Sequence, residues 1–332
     1  MKIFWLVNDK NSITSVMPRW QEYQKINHNL DINIIDKISR RNLKKNNINL
    51  VHTHSNKTLI KYLLQNSLFE KNDHIHSFHY DMNRYNFFFK FIIYAIINFS
   101  NISSIIFTSK VNYNSIMLSK FIFRLKKKKI FYSPPIYPIE DLDQIFKKRK
   151  NYVYNKNKTI KFVICSRLVK LKRISNFLEM INHIKSNFDV QLDIFGDGNE
   201  KNFLYKKVTE YNLHEVVTFK GLVNYQEIYK NYSNYDFAVN LSYTEAYNMF
   251  IWESLNCGIP VINYNDLLVQ HKISNFSINP NESLKNQSES LMNIIKSDYD
   301  INNVKNSCDV VVEDTSFKSL SYIYDKLSLK QK

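Results

Sequence analysis

An alternation of short, apolar, β-rich runs with longer stretches of helical periodicity is the feature that most constrains how this chain folds. Neighbouring parallel strands need a crossover of about a dozen residues or more, which is usually a helix. The pattern therefore predicts a parallel sheet covered by helices. In the first half of the chain it places strands at residues 2–7, 30–36, 49–53, 73–78 and 103–109, and helices at 16–26, 56–66 and 84–99.

The alternation breaks at SPPIYPIEDLD, which begins at Ser133, and in the charged stretch 147–158, so this region is a candidate linker. It then restarts, with strands at 160–166, 190–195, 216–219, 235–241 and 259–263 and helices at 174–187, 199–212, 225–233 and 247–257. Because one core rarely grows beyond roughly 250 to 300 residues, 332 residues favour two domains. We predict an α/β protein of two doubly wound, Rossmann-like domains, 1–150 and 151–314, with a final helix near 315–330 packing back onto the first.

Glycine is rare in this chain, so the few that remain indicate constrained positions. Average usage would give about 23 glycines in a chain of this length. There are 4, all in the second half. Gly196 and Gly198 bracket Asp197 in FGDGN, where they would permit close approach of the backbone to a ligand, although a tight turn alone explains them equally well. Since no G-x-G-x-x-G occurs, a dinucleotide-dependent oxidoreductase is disfavoured.

Cysteine spacing and the short apolar segments bear on location. Cys165, Cys257 and Cys308 are far apart without a C-x-x-C, which favours neither zinc nor disulfides and indicates a reducing compartment. The N-terminal run MKIFWLV is too short for a signal peptide, and segment 87–99 is shorter than the roughly 20 residues of a spanning helix. We therefore expect a cytoplasmic protein, with a peripheral position on the inner face of the cell membrane left open.

The formal charge of +16 favours an anionic partner, such as nucleic acid, a membrane surface or a phosphorylated substrate. Abundant Lys, Asn, Ile, Tyr and Phe with little Gly, Ala and Pro are also what AT-rich coding gives, so the charge alone is weak evidence. Nucleic-acid binding remains an alternative that predicts steep salt dependence, but we assign no nucleic-acid partner. The dense basic cluster, residues 124–129 and 147–150, is either a solvated face or a contact with an anionic bilayer.

Two glutamates in TEAYNMFIWESLNCGIPVI form the strongest candidate site. Glu245 precedes a predicted helix and Glu253 lies eight residues further on, up to roughly 12 Å along the axis. They are too far apart to share a proton, but each could accept hydrogen bonds from hydroxyls at opposite ends of an extended ligand. The alternative is that Glu245 stabilises the helix dipole and Glu253 is a solvated surface residue.

Between the two glutamates, the backbone N–H groups of Tyr247, Asn248 and Met249 open the predicted helix and suit a phosphate. A ligand with hydroxyls at both ends and phosphate in the middle has the layout of a nucleotide sugar. In SRLVKLKR, Arg167 and Lys172 follow a strand and could neutralise a diphosphate without a metal. A basic surface loop is the alternative.

These segments occur in a recognisable order: Ser166-Arg167-Leu168 with Lys172, then FGDGN, VTFKGLV, S-x-x-E-A and CGIPVI. The order resembles the signature of GT-B glycosyltransferases of family four, the retaining nucleotide-sugar group, over about residues 160–263. The resemblance implies two Rossmann-like domains that face a cleft.

The same resemblance implies roles for individual residues. Arg167 and Lys172 would hold the donor diphosphate, Glu253 the ribose hydroxyls, and Glu245 the transferred sugar. The remaining predicted donor-binding residues are Gly196, Asp197, Gly198, Ala246, Tyr247, Asn248 and Met249.

Histidines follow two predicted strands of the first half, in VHTHS and HIHSFHYD. They are similar to the histidine-bearing strand ends of the family, and His79 is the one that we place beside the reacting sugar. The chain also departs from the family pattern. Residues 8–15 lack the usual glycine pair, Ser166 and Arg173 stand where glycine is usual, and NYNDLLVQHK replaces a glycine-rich loop after Ile262.

The resemblance leads to a functional prediction. We predict a retaining hexosyltransferase that moves a sugar from a nucleotide sugar, with UDP as the expected nucleotide, to a glycan, lipid-linked or surface-polymer acceptor. Glu245, His79, Arg167 and Lys172 are the predicted catalytic residues, and neither a cofactor nor a metal is expected. The alternative is a non-catalytic, glycosyltransferase-like subunit that binds carbohydrate or a partner enzyme.

Overall fold

The computed structural model describes residues 2–7, 21, 24–25, 30–35, 50–65, 73–79, 86–100, 102–108, 113, 129–133, 140–242, 248–264, 276–306, 320 and 322–324. The chain divides into two compact units. The first comprises Met1–Tyr137 with Asp314–Lys332, and the second comprises Pro138–Glu313. Each contains one six-stranded sheet.

The first unit has a parallel sheet in the order β2-β1-β3-β4-β5-β6. Its strands are β1 Lys2–Leu6, β2 Asp31–Ile35, β3 Leu50–Thr53, β4 Asp73–Phe78, β5 Ile102–Phe107 and β6 Lys129–Tyr132. Helix α1, Asn56–Gln65, connects β3 to β4, and helix α2, Phe87–Phe99, connects β4 to β5. Both crossovers run in the same direction along the sheet, so the right-handed rule places α1 and α2 on the same face. Consistently, Leu59, Ile93 and Ile97 pack in one buried cluster.

The second unit has a parallel sheet in the order β12-β11-β10-β7-β8-β9. Its strands are β7 Ile160–Cys165, β8 Val190–Phe195, β9 Val217–Gly221, β10 Phe237–Asn240, β11 Val261–Tyr264 and β12 Ser277–Ile278. Its helices are α3 Glu140–Arg149, α4 Ile174–Ile184, α5 Lys201–Glu210, α6 Tyr225–Tyr232, α7 Met249–Asn256, α8 Leu284–Lys296 and α9 Ile301–Asn306, with a 3₁₀ turn at Lys170–Lys172.

Three phenylalanines lie at the centre of the core of the second unit. Phe162 of β7 lies 5.4 Å from the ring of Phe177 on α4 and 5.7 Å from the ring of Phe237 on β10. All three are fully buried. Burial of each such side chain stabilises the fold by about 1.5–3 kcal/mol, so these contacts hold α4 against the two central strands.

Both sheets therefore contain a strand from which the chain winds outward in two directions. In the first sheet β1 lies between β2 and β3, and in the second β7 lies between β10 and β8. Ligands of doubly wound sheets bind outside the carboxyl ends of strands at such a switch point. The prediction of two doubly wound α/β domains is confirmed, and the carboxyl ends of β1, β3, β7 and β10 are where a site is expected.

Residues 138–150, which the sequence analysis assigned to the first domain and its linker, lie in the second unit. The reason is the packing of α3, where Leu142 and Ile145 are buried, against α6 and α7. At the other end of the chain, Leu320, Ile323 and Tyr324 are buried parts of the first unit.

Arg149 is an exception within the predicted basic surface, since Lys147, Lys148 and Lys150 of the same cluster are exposed. It is 1% exposed. Its Nη1 donates to the carbonyl oxygens of Ser233 and Tyr235, both at 2.8 Å, and its guanidinium lies 4.2 Å from the centre of the Tyr152 ring. The local charge pattern missed this because both carbonyls lie more than 80 residues away in sequence. Residues 124–128 of the cluster lie outside the described residues.

Candidate functional site

The loops that follow β7, β8 and β9 are joined by backbone hydrogen bonds at one edge of the second sheet. The amide of Ser166 donates to Phe195 O at 3.0 Å, and that of Leu168 donates to Asp197 O at 2.9 Å. The amide of Gly196 donates to Gly221 O at 2.8 Å. Backbone hydrogen bonds therefore join the loop that contains Arg167 directly to the FGDGN segment at this edge of the sheet.

Glycine is required where these loops touch. Gly196 has a φ of +130°, and a Cβ on it would lie 1.9 Å from Ser166 O. A Cβ on Gly198 would lie 2.3 Å from Leu168 O. Both distances are shorter than any tolerable contact, so these two glycines let two backbone segments meet. Donor binding by Gly196, Asp197 and Gly198 stays a prediction.

The predicted cations lie in the first of these loops. Arg167 is exposed and follows β7, while Lys172 ends the 3₁₀ turn and is half-buried. Lys172 lines a small pocket with Ser166, Arg173 and the carboxyl end of β10. The structure thus places Lys172 at the β7–β10 switch point, which is where the fold predicts a ligand.

Asn240 is a residue of this pocket that the sequence analysis missed. It is 5% exposed, and its Oδ1 accepts a hydrogen bond from Ser242 Oγ at 2.9 Å. Its buried Nδ2 has no hydrogen-bond partner among the described residues. An unsatisfied buried amide is costly, so a ligand acceptor in the pocket would be favoured here. The signal in the sequence was an Asn at the end of the apolar strand FAVN.

Helix α7 carries the later part of the predicted donor site. Asn248 is its N-cap, and the side-chain Oδ1 accepts from the amide of Phe250 at 3.0 Å. Glu253 is 8% exposed, so the alternative that it is a solvated surface residue is wrong. Burial, reinforced by the nearby charge of Glu253, raises the pKa of Tyr232 well above its usual value. Glu245, Ala246 and Tyr247 lie outside the described residues.

At the carboxyl edge of the first sheet, histidine rings pack in tilted arrangements beside Trp5. The rings of His52 and His54 are 3.9 Å apart, and Trp5 lies 4.9 Å from His54. His54 Nδ1 lies 3.0 Å from His79 Nε2. The predicted His79 is therefore part of a cluster that spans the ends of β1, β3 and β4.

Tyr324, in the C-terminal part of the chain, forms hydrogen bonds with two residues of this cluster. Trp5 Nε1 donates to Tyr324 Oη at 2.7 Å, because an indole nitrogen can only donate. The Tyr324 hydroxyl can then donate to His52 Nδ1, also at 2.7 Å, and His52 Nε2 to Ser77 Oγ at 2.6 Å. No local pattern predicts a contact across 272 residues.

The cluster is held in the neutral state. Burial lowers the pKa of His52, His54 and His76 well below the usual value, and neighbouring histidines lower it further. Burial also lowers the pKa of His79 to about 4. At neutral pH these rings offer hydrogen-bond donors and acceptors rather than positive charge. Within the described part of the chain no three His, Cys, Asp or Glu side chains are grouped as metal ligands, and metal independence stays a prediction.

Known proteins share both the sequence pattern and the fold. A curated relative, the UDP-N-acetylglucosamine–peptide N-acetylglucosaminyltransferase GtfA subunit of Streptococcus parasanguinis, is 26% identical over 128 residues. That match covers 38% of this chain and 24% of the relative. The chain spans between 24% and 31% of the length of the curated relatives that it matches.

Two solved structures illustrate the similarity of fold. The Anabaena protein HepE in complex with UDP has a TM-score of 0.67 at 15% identity, covering 100% of this chain and 99% of that chain. The pneumococcal O-GlcNAc transferase GtfA in complex with UDP and GlcNAc has a TM-score of 0.61 at 15% identity, covering 88% of this chain and 59% of that chain.

A family description covers the second unit almost completely. Residues 144–309, which are half of the 332-residue chain, match the family described as Glycosyl transferases group 1. The matched span includes the β7–β10 switch point with Lys172 and Asn240, the glycine loop and helix α7. On this match the protein belongs to the group 1 glycosyltransferase family.

Proposed function

We propose that the protein is a retaining glycosyltransferase that moves a hexose-type sugar from a UDP-sugar to a glycan, lipid-linked or surface-polymer acceptor. The observation that carries the proposal is the pocket at the β7–β10 switch point, which Lys172 and the buried Asn240 both line. A cation and a buried hydrogen-bond donor in one pocket suit a phosphate oxygen. The UDP in the solved complexes of HepE and pneumococcal GtfA supports the choice of nucleotide.

Donor binding would use the residues that the resemblance assigns. Lys172 and the exposed Arg167 hold the diphosphate, and Asn240 adds a donor on the side of β10. Glu253 accepts hydrogen bonds from the ribose, and Glu245 orients the transferred sugar. Charged hydrogen bonds of this kind contribute about 1.5–3 kcal/mol each, which would give a donor affinity without a metal.

Transfer would proceed on one face of the sugar. The bond between the sugar C1 and the diphosphate oxygen breaks, a bond from C1 to the acceptor oxygen forms, and the acceptor proton leaves with the departing UDP. Lys172 and Arg167 stabilise the charge that develops on the leaving diphosphate. His79, being neutral, would position a hydroxyl by hydrogen bonding rather than stabilise charge.

Calorimetric titration of the chain with UDP tests donor binding. We expect Lys172→Ala to weaken UDP binding by about 10- to 100-fold. Lys170→Ala is the matched control, because Lys170 begins the same 3₁₀ turn but is exposed and does not line the pocket. Equal losses in the two variants, or unchanged binding in Lys172→Ala, would contradict the site.

Turnover is measured separately, as UDP release from UDP-N-acetylglucosamine, UDP-glucose and UDP-galactose. We expect release by the wild type and loss of it in Lys172→Ala and Glu245→Ala. A third variant, Asn240→Leu, tests UDP binding rather than turnover. It removes the buried hydrogen-bond donor, and we expect it to keep the fold and to weaken UDP binding by about fivefold to tenfold. Equal turnover in wild type and variants would refute the catalytic assignment.

A non-catalytic, glycosyltransferase-like subunit is the second candidate. The observation that favours it is Arg173, which takes a left-handed conformation, with φ of +49°, at a position where the family usually has glycine. UDP binding that depends on Lys172 but is accompanied by no turnover of any UDP-sugar would support this candidate over the enzyme.

A further inference from the structure

Helices α1 and α2 of the first unit expose large apolar side chains on their outer surfaces. Leu64 of α1 is 83% exposed, and Phe88 and Phe91 of α2 are 70% and 51% exposed. Ile60 and Ile92 are each more than a third exposed. Single exposed apolar residues are ordinary, but several on adjacent helices mark an interaction surface.

The exposed side chains follow helical spacing, so they form continuous stripes. On α1 they recur at Lys57, Ile60 and Leu64, while Leu59 and Tyr62 are buried. On α2 they recur at Phe88 and Ile92. The two helices share one buried cluster beneath and lie on one face of the sheet. We call this outer surface, formed by Lys57, Ile60, Leu64, Phe88, Phe91 and Ile92, the α1–α2 face.

The charge on these helices has one sign. Residues 56–65 and 86–100 contain Lys57, Lys61 and Lys90 and no acidic residue. A second copy of this chain would bring the same cations against them, which disfavours self-association through this face. The apolar side chains of the face suit a partner with an apolar interior. The lysines beside them suit anionic groups at the surface of that partner. An anionic bilayer has that composition.

The depth of contact follows from helix length. The 13 residues of α2 extend about 20 Å, short of the roughly 30 Å hydrocarbon core. Across the described ranges, no helix is long and apolar enough to cross a membrane. A contact with lipid through this face would therefore lie in the plane of the interface.

We infer that the α1–α2 face binds an anionic lipid bilayer, with Leu64, Phe88 and Phe91 inserted among acyl chains and Lys57, Lys61 and Lys90 at the headgroup phosphates. This inference is independent of sugar transfer. It concerns a different surface from the basic cluster at 147–150, which lies in the second unit.

Co-sedimentation of the full chain with vesicles tests the apolar part. We expect binding to phosphatidylcholine vesicles that contain phosphatidylglycerol, and little binding to phosphatidylcholine alone. Phe88→Ser with Phe91→Ser should lower the partition coefficient by about tenfold per side chain. The control, Val153→Ser with Phe203→Ser, removes exposed apolar side chains of the second unit and should bind as the wild type does. Equal loss in both double variants would overturn the assignment of the face.

Two variants that lose the same number of charges test the charged part of the proposal. Replacing Lys57, Lys61 and Lys90 by Gln should cost about fivefold in partitioning per lysine and remove most of the dependence on phosphatidylglycerol. Replacing Lys206, Lys285 and Lys296 by Gln removes the same charge from the second unit. Equal effects of the two triple variants would mean that overall charge, not this face, drives binding, and would overturn the proposal.

Sedimentation velocity without lipid tests whether a second copy of this chain binds the α1–α2 face instead. The lipid proposal would be refuted if the wild type failed to bind vesicles and formed a dimer that the double variant Phe88→Ser, Phe91→Ser dissociates. The face would then be assigned to a second copy of the chain. Unchanged UDP titration in these variants would show that the failure concerns the face and not the donor site.

Discussion

The carboxyl edges of the two sheets are built by different means. In the second unit, backbone lies against backbone, and Gly196 and Gly198 are required because a Cβ would collide with Ser166 O and Leu168 O. In the first unit, the edge is filled by side chains, with histidine rings packed beside Trp5, and with Trp5 and His52 hydrogen-bonded to Tyr324. Two of the chain's 4 glycines, Gly196 and Gly198, lie where its own backbones meet, whereas aromatic rings fill the edge of the first sheet.

This difference implies different sensitivities. A backbone edge is sensitive to added volume, while its exposed cations can change without altering the fold. A side-chain edge made of neutral histidines is sensitive to protonation, because the charged form of a buried imidazole is disfavoured. Substitution and acid should therefore affect the two units unequally.

The largest expected effect is that of Gly196→Ala. The new Cβ would lie 1.9 Å from Ser166 O at a φ of +130°, so the loops must separate, at a cost of more than about 3 kcal/mol. Gly221→Ala is the matched control: its φ is +72°, but no atom lies within 4 Å of the added Cβ, so about 1–2 kcal/mol is expected. Chemical denaturation measures both. Equal costs would show that backbone contact is not what the glycine serves.

Much of this architecture could be predicted from the sequence, because strand and helix periods are local. Strand β8 was predicted to the residue at 190–195, and β7 to within one residue at its end. The features that escaped prediction depend on distant partners: the burial of Arg149, the unsatisfied amide of Asn240 and the reach of Tyr324 to His52. Helix α3 was missed because prolines before it suggested a linker.

Acid should act on the two units with opposite sign. In the first unit, burial lowers the pKa of His79 to about 4. An unfolded histidine titrates near 6.5, so between these values the unfolded state binds more protons and stability falls as pH falls. In the second unit, burial raises the pKa of Asp236 to about 6, above its usual value of about 3.8. There the folded state binds more protons, so stability rises as pH falls from about 6 towards 4.

Over the whole pH range between the folded and unfolded pKa values, each group changes the free energy of unfolding by on the order of 3 kcal/mol. Hydrogen exchange followed by mass spectrometry, corrected for the intrinsic rate, separates the amides of β3 and β4 from those of β7 and β10. We expect protection to fall in the first pair and to hold or rise in the second between pH 6.5 and 4.5. Parallel losses in both units would contradict the contrast.

Tyr324→Phe tests the side-chain edge without changing its volume. The variant removes the hydroxyl that contacts both Trp5 Nε1 and His52 Nδ1 at 2.7 Å, in a fully buried place. We expect a loss of about 1–3 kcal/mol in the free energy of unfolding. Tyr322→Phe is the control, because Tyr322 is exposed and should change stability by less than about 0.5 kcal/mol. UDP titration should be unchanged, since Tyr324 belongs to the first unit, and a loss of UDP affinity would show that the two edges are not independent.

The smallest expected effect is at Arg173, which lines the pocket with Lys172 and has a left-handed backbone conformation. Its φ of +49° disfavours any residue with a Cβ by about 1 kcal/mol relative to glycine. Its side chain also lies 5.5 Å from the Tyr264 ring, so Arg173→Gly alone would mix two effects. Comparing Arg173→Gly with Arg173→Ala removes the side chain in both. We expect the glycine variant to be more stable by about 1 kcal/mol in chemical denaturation.

Asn212 supplies the internal control for this comparison. Among the described residues, Arg173 and Asn212 are the two that are not glycine and have a positive φ, which is +51° at Asn212. Asn212 lies just after α5 and does not line the pocket. The same glycine-over-alanine difference is expected there, because the cost belongs to the backbone. If UDP affinity rises in Arg173→Gly but not in Asn212→Gly, the strained backbone at 173 weakens the donor site. If the glycine and alanine variants at 173 are equally stable, the left-handed conformation is not strained, and the departure from the family's glycine has no energetic consequence for the backbone.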